Sequence, residues 1–514
     1  MQGTTVLGVL LLLGGFLAQP AGAETKPVAL VKAAVKAMGG ASAMRALTSV
    51  TIKAETTHWE PEQSLVPDGE ARLVGTSRLS IAWDLANSRS RTEWERTLIY
   101  PFPGTPKFSD VVTPAYGYVV DEKGDQPMSA RRLAVQWREQ ERASPVLLLR
   151  ALDHPERLAA APRHTLDGQS LPSLRFVDGG ATFIILFDAK THLPRAIRTL
   201  DDSLIYGDAV NDLVLDDWRS VGGVKVARSL TYTLAGRTVR RVTYIEVTAN
   251  APLAAQTFEP SAETRKAAEP PASDGVPYTK VMTRLNFGRF IETPAFWESA
   301  QGLKLVELSP TVQFVQGATH NSMIVALPDY LVIIEAPQDD NYSRWVIDAA
   351  KTKYPGRPIK YLVVTHHHFD HSGGTRAFAA AGADIIVPAP AKPHFAALLR
   401  APHTLAPDLL QKSPRQAQII EVAKEYALKD GDNEIRILRV DNPHVEGMLI
   451  AHVVKENIVF DSDLYSPGRD KAKTPNNTAF LATLKTLGLS QTRIAGGHGG
   501  VGSAGDLEAL AATQ

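Results

Sequence analysis

Thr365-His366-His367-His368-Phe369-Asp370-His371-Ser372-Gly373-Gly374 follows directly on the apolar run Tyr361-Leu362-Val363-Val364. The apolar run reads as a buried strand, and Ser372 with its two glycines opens a helix whose backbone can be approached closely. The His/Asp cluster therefore occupies a loop at the carboxyl end of a strand, where α/β folds carry their ligands. Imidazole nitrogen and carboxylate oxygen are donors that suit zinc and related divalent ions. His366 and His368 are two apart, so an extended loop points both the same way and turns His367 away. Asp370 comes two residues later, and His371 turns toward a second position. One short loop thus offers donors to two adjacent ions. It needs more imidazole and a bridging carboxylate from elsewhere.

The chain downstream provides them. Ten of the 14 histidines lie between His320 and His498. His444, in Asn442-Pro443-His444-Val445-Glu446-Gly447, falls between expected strands at 435–440 and 448–454. Asp463 follows Ile458-Val459-Phe460 and is preferred to Asp461, which lies nearer the strand and suits a turn cap. His498 sits among the glycines of Ala495-Gly496-Gly497-His498-Gly499-Gly500, after an expected strand at 492–496. His320, His394, His403 and His452 read as structural or surface residues, with His320-Asn321 within reach of the rim. From Leu303 onward, strand-like and helix-like runs alternate as in a layered α/β domain.

On these residues the chain resembles the metallo-β-lactamase-fold superfamily. The pattern His-x-His-x-Asp-His followed by two glycines is met at every position from 366 to 374, and the resemblance covers 303–514, about two fifths of the chain. It implies an αββα sandwich with a dinuclear site at one edge. It also implies that His366, His368 and His444 hold one ion, that Asp370, His371 and His498 hold the other, and that Asp463 bridges them. The β-lactamases proper have Cys or Ser in the region of Asp463, which moves the expectation toward members similar to glyoxalase II and the lactonases. The strand Leu331-Val332-Ile333-Ile334 ends in Glu335 where the family commonly has Asp, at a position that supports the site without being a ligand. The implied chemistry is attack by a metal-bridging hydroxide on an ester, thioester, lactone or amide-type small substrate, with Asp370 orienting the hydroxide and accepting a proton. Two zinc ions are the first expectation, with iron or manganese as alternatives. A single-iron dioxygenase of the same superfamily is the oxidoreductase alternative.

The rest of the chain reads differently. Residues 1–23 have the form of a signal peptide, with an apolar core from Val6 to Ala18 and the small-residue pattern Ala21-Gly22-Ala23 before Glu24. Residues 24–265 are mostly β: Val50, Ile52 and Ala54 alternate in one run, and Ala235-Gly236 reads as a hairpin turn between two others. The pattern faintly resembles periplasmic lipoprotein-carrier half-barrels, so a second expectation is a carrier of lipid or another apolar ligand with an accessory metal domain. Residues 266–300 form a linker or strap, Pro-rich at first and aromatic later, with the hydrolase domain taken as 301–514. Lys+Arg and Asp+Glu are equal at 55 each, which gives no basic surface for nucleic acid. No run after the signal is long enough to span a bilayer, and the absence of cysteine excludes disulfides, a lipidated Cys and thiolate ligands. A periplasmic or secreted enzyme with a small-molecule substrate is expected; specificity loops are sought at 390–432.

Overall fold

The computed structural model describes residues 26–101, 103–266, 279–281, 303–317 and 319–512. The expected signal peptide and most of the 266–300 strap lie outside the described residues.

The N-terminal part is built on one 13-stranded sheet in which every neighbouring pair is antiparallel. An interior strand, Ser49–Glu60, pairs with Arg72–Asp84 on one side and Arg237–Ala249 on the other. Val50, Ile52 and Ala54 project from it into a core shared with the helices Pro27–Ala37 and Leu147–Asp153. The expected hairpin is present: Ala235 and Gly236 both take positive φ, 48° and 78°, as the tight turn joining two right-twisted strands requires. The helix Pro27–Ala37 stops before Gly39, where a Cβ would lie 2.2 Å from the Gly223 carbonyl oxygen.

The C-terminal part is the αββα sandwich of the metallo-β-lactamase fold. A seven-stranded sheet runs in order Lys304–Ser309, Val312–Gln316, Ser322–Ala326, Leu331–Ile334, Ile359–Val363, Asp384–Pro388, Ile419–Val422. A six-stranded sheet runs Glu425–Asp430, Asn433–Val440, Met448–Val453, Ile458–Asp461, Arg493–Gly496, Val501–Ser503. Period-two alternation explains why the central strands are apolar throughout. Val332 and Ile334 face the opposing sheet, while Leu331 and Ile333 face the helices Asp340–Lys353, Thr375–Ala381 and Lys392–Arg400. Met448 and Ile450 likewise face the helices Pro475–Thr486 and Ala504–Ala512, and Leu449 and Ala451 face inward.

The stretch 390–432 is not a set of open loops. It holds the helix Lys392–Arg400 and two strands, and its turn at 402–405 is tied to the N-terminal sheet. Asp208 accepts from the backbone N–H groups of Thr404 and Leu405 at 3.0 Å each and from the Thr404 hydroxyl at 2.6 Å. Residues 279–281 bind both parts. The Thr279 hydroxyl donates to the Asp202 carbonyl oxygen at 2.8 Å, and the buried Lys280 ammonium pairs with Asp339.

Candidate metal centre

The site lies where strands end. His366, His368, Asp370 and His371 follow Ile359–Val363; His444 precedes Met448–Val453; Asp463 follows Ile458–Asp461; His498 follows Arg493–Gly496. Two groups of donors form. His366, His368, His444 and Asp463 make one, Asp370, His371, His498 and His320 the other, and the donor atoms of each lie within 4.8 Å of one another. The structure thus brings all seven sequence-expected residues together. His320 is an addition. It was read as structural or surface, yet it is buried, with Nε2 3.2 Å from Asp370 Oδ2 and its ring 4.4 Å from that of His498. The signal available for it was its place, with Asn321, just before the strand Ser322–Ala326. Asn321 in turn donates to the carbonyls of Gly496 and Gly499 and holds the His498 loop.

Asp463 stands in the middle. Its Oδ1 is 3.0 Å from His498 Nε2 and 3.1 Å from His371 Nε2. Its Oδ2 is 2.9 Å from His444 Nε2 and 3.6 Å from His366 Nε2. Each carboxylate oxygen therefore serves a different group. Asp461 points elsewhere and accepts from the Tyr465 backbone N–H at 2.8 Å. Close approach at 497 needs glycine, since a Cβ there would lie 2.7 Å from Ser462 Cα.

Four of the imidazoles are held from behind, which leaves the other nitrogen for the centre. His366 Nδ1 lies 3.0 Å from the Thr365 hydroxyl, His498 Nδ1 lies 2.6 Å from the Thr319 carbonyl oxygen, and His371 Nδ1 lies 2.6 Å from Glu335 Oε2. His368 is reversed: its Nε2 donates to the Ser64 carbonyl oxygen at 3.1 Å, and its Nδ1 faces His444 Nε2 at 3.1 Å. His367 turns out of the centre and donates through Nε2 to the same Ser64 carbonyl at 3.0 Å. His394, which pairs with Asp68 at 3.0 Å, and His403, beside Asp408, also lie outside it.

The residues fit a bound divalent cation. Among the described residues, the buried His366 Nε2, His371 Nε2 and Asp463 Oδ1 converge without a hydrogen bond of good geometry. Buried polar atoms in proteins are as a rule paired, because an unpaired one costs about 1–3 kcal/mol. Electrostatics agree. Burial, with neighbouring imidazoles, holds His366 and His368 well below the usual histidine range, so both offer lone pairs. Burial acts the same way on His371, but Asp463, Asp370 and Glu335 outweigh it and hold this imidazole well above that range. Burial would raise Asp370 and Asp463, yet the surrounding imidazoles, His371 foremost, keep both well below the carboxylate range. Three carboxylates thus converge where positive charge is favoured.

Residues 316–451 match the family model of the metallo-beta-lactamase superfamily. The C-terminal region carries that superfamily's fold. The matching segment contains His320, the four 366–371 donors and His444, while Asp463 and His498 lie beyond it. Among solved structures, a metallo-beta-lactamase from Pontibacter korlensis is similar at 16% identity, covering 41% of this chain and 100% of its own, with a TM-score of 0.32. One from Hirschia baltica is similar at 18% identity over 41% of this chain and 96% of its own, with a TM-score of 0.31. The mono-zinc form of FIM-1 from Pseudomonas aeruginosa is similar at 17% identity over 41% of this chain and 93% of its own, with a TM-score of 0.30. No curated protein sequence matches the chain.

Proposed function

We propose that this chain is a dinuclear metal-dependent hydrolase of small ester, thioester, lactone or amide-type substrates. The observation that carries the reading is the Asp463 carboxylate, one oxygen 3.0 and 3.1 Å from two imidazoles and the other 2.9 and 3.6 Å from two more. His366, His368 and His444 would hold one ion, Asp370, His371 and His498 the other, with Asp463 shared. His320 stands behind Asp370. Bound zinc would supply Lewis acidity and lower the pKa of water from about 15.7 to about 7. Asp370 has Oδ1 engaged by the Gln63 amide at 2.6 Å and Oδ2 3.2 Å from His320 Nε2, and this carboxylate would orient the attacking water and accept its proton. No serine or cysteine nucleophile is required.

The test is metal analysis of the purified protein together with a hydrolysis screen. About two zinc ions per chain and turnover of esters, lactones or thioesters are expected. His366→Ala should lower kcat/KM by about 100-fold or more, in line with loss of a ligand to a catalytic metal, with the circular-dichroism spectrum unchanged. Full activity in that variant overturns the reading. One iron per chain with oxygen consumption would transfer it to a dioxygenase.

A specific feature favours a second role for the N-terminal sheet, that of holding an apolar small molecule. A cleft of about 160 Å³, open at its mouth, is walled by Leu79, Ile81, Trp83, Trp94 and Phe108 and reaches Arg240. A fluorescent fatty-acid analogue should bind the intact protein saturably, and Ile81→Glu should weaken it about tenfold or more, since a charge would then stand in an apolar wall. Absence of saturable binding would eliminate this role.

A further inference from the structure

One segment of the N-terminal domain reaches the metal centre. The interior strand Ser49–Glu60 leads into a short turn, Pro61–Gln63, whose residues are buried. Gln63 Nε2 donates to Asp370 Oδ1 at 2.6 Å across 307 residues of sequence. The Tyr100 hydroxyl donates to Gln63 Oε1. That bond decides which way the amide faces: its oxygen is taken by the phenol, so its N–H₂ is directed at the carboxylate. The reverse orientation would set the amide oxygen against Asp370. The next residue, Ser64, offers the carbonyl that receives His368 Nε2–H at 3.1 Å. Leu65 accepts from the Glu446 backbone N–H at 2.7 Å, and Arg72 donates to the His444 carbonyl oxygen at 2.8 Å while its guanidinium lies 4.5 Å from the centre of the Tyr100 ring.

Three of the seven candidate ligands are therefore held by the other domain. His368 is set through its ring nitrogen, His444 through its backbone, and Asp370 through its carboxylate. Of these, the Gln63 contact is the one a side-chain change can test. With Oδ1 committed to the amide, Asp370 presents a single oxygen, Oδ2, which lies 3.2 Å from His320 Nε2 and 3.9 Å from His371 Nε2. Partners behind metal ligands set ligand orientation, and their loss costs about 10- to 100-fold in metal affinity.

We propose that Gln63, braced by Tyr100, is a positioning residue that presents Asp370 to one half of the metal centre, so that the centre is completed only by the N-terminal domain. The proposal rests on the dinuclear reading above. It predicts an effect on one half of the site and not on both. His366, His368 and His444 do not depend on the Gln63 amide.

The test is zinc competition against a chromophoric chelator with full-length protein. Wild type is compared with Gln63→Leu, which keeps bulk and removes the amide, and with Tyr100→Phe, which frees the amide to rotate. Gln63→Leu should weaken one of two zinc affinities by about 10- to 100-fold and leave the other within about threefold. Tyr100→Phe should act on the same affinity, and more weakly. Gln63→Asn, which retains the donor, should recover part of the loss. The thermal midpoint of the metal-free protein should be the same in all four proteins. Two unchanged affinities in Gln63→Leu would overturn the proposal and leave the dinuclear reading standing. An equal loss of metal-free stability, with both affinities falling together, would overturn it by making Gln63 a structural residue. Wild-type protein that binds no zinc would overturn the dinuclear reading itself, and this inference with it.

Discussion

Glu335 carries two duties at once. Its Oε1 accepts from the Thr365 backbone N–H at 2.8 Å and its Oε2 lies 2.6 Å from His371 Nδ1. Its backbone is held at a φ of 73°, a left-handed conformation that costs a non-glycine residue about 1–3 kcal/mol and collects at functional sites. Glu335→Gln can satisfy one of the two duties. If the new amide N–H₂ faces His371, Nδ1 must accept, and the proton moves to Nε2, which then cannot bind a cation. Metal affinity measured by chelator competition should fall about 10- to 100-fold, and a wild-type affinity would refute this role. At this scale the sequence was half legible. The 366–371 loop shows itself because its donors are neighbours, and His444, Asp463 and His498 show themselves because each ends or borders an apolar run. Ser64, Gln63 and Tyr100 carry no such mark. The contacts of Ser64 and Gln63 with 368 and 370 cross more than 300 residues, as the 304 between Ser64 and His368 shows, and nothing local to Gln63 distinguishes it from any turn glutamine.

At the scale of elements, the strands Ser322–Ala326 and Leu331–Ile334 stop short of the site residues that border them. The residues shed at the ends are informative. His320, Asn321 and Glu335 leave the ladder because they serve the site. The strands Ile419–Val422 and Val501–Ser503 went unread, being short, partly exposed edges without a continuous apolar run. The helix Asp340–Lys353 supplies a prediction of its own. Asp340 opens the helix and accepts from the Leu409 backbone N–H at 3.1 Å, but burial, with Asp408 adding to it, pushes its carboxyl up to about 6. The folded state thus binds this proton more tightly than the unfolded chain, whose value is near 3.8. Stability associated with the neutral form is complete below the unfolded value and is lost as pH rises through about 6. Asp340→Asn keeps an acceptor for Leu409 and removes the buried charge. It should raise the thermal midpoint at pH 7.5, by at most about 3 kcal/mol of stability, and leave it unchanged at pH 4. A gain of equal size at both pH values would refute the assignment.

For the whole molecule, the division into a β part and an α/β part was visible in the change of pattern near residue 300. How the two meet was not, since relative placement of domains leaves no periodicity in either. The structure puts the crossover from Glu60 to Arg72 between two interior strands, Ser49–Glu60 and Arg72–Asp84, each with a partner on both sides. The two ends of that span, Glu60 and Arg72, are themselves paired in the ladder, so the amide and carbonyl it delivers are anchored beside the sheet. A recombinant fragment starting at residue 301 would keep every histidine of the cluster and lose the backing behind His368, His444 and Asp370. Assays on such a fragment would characterise a different catalyst.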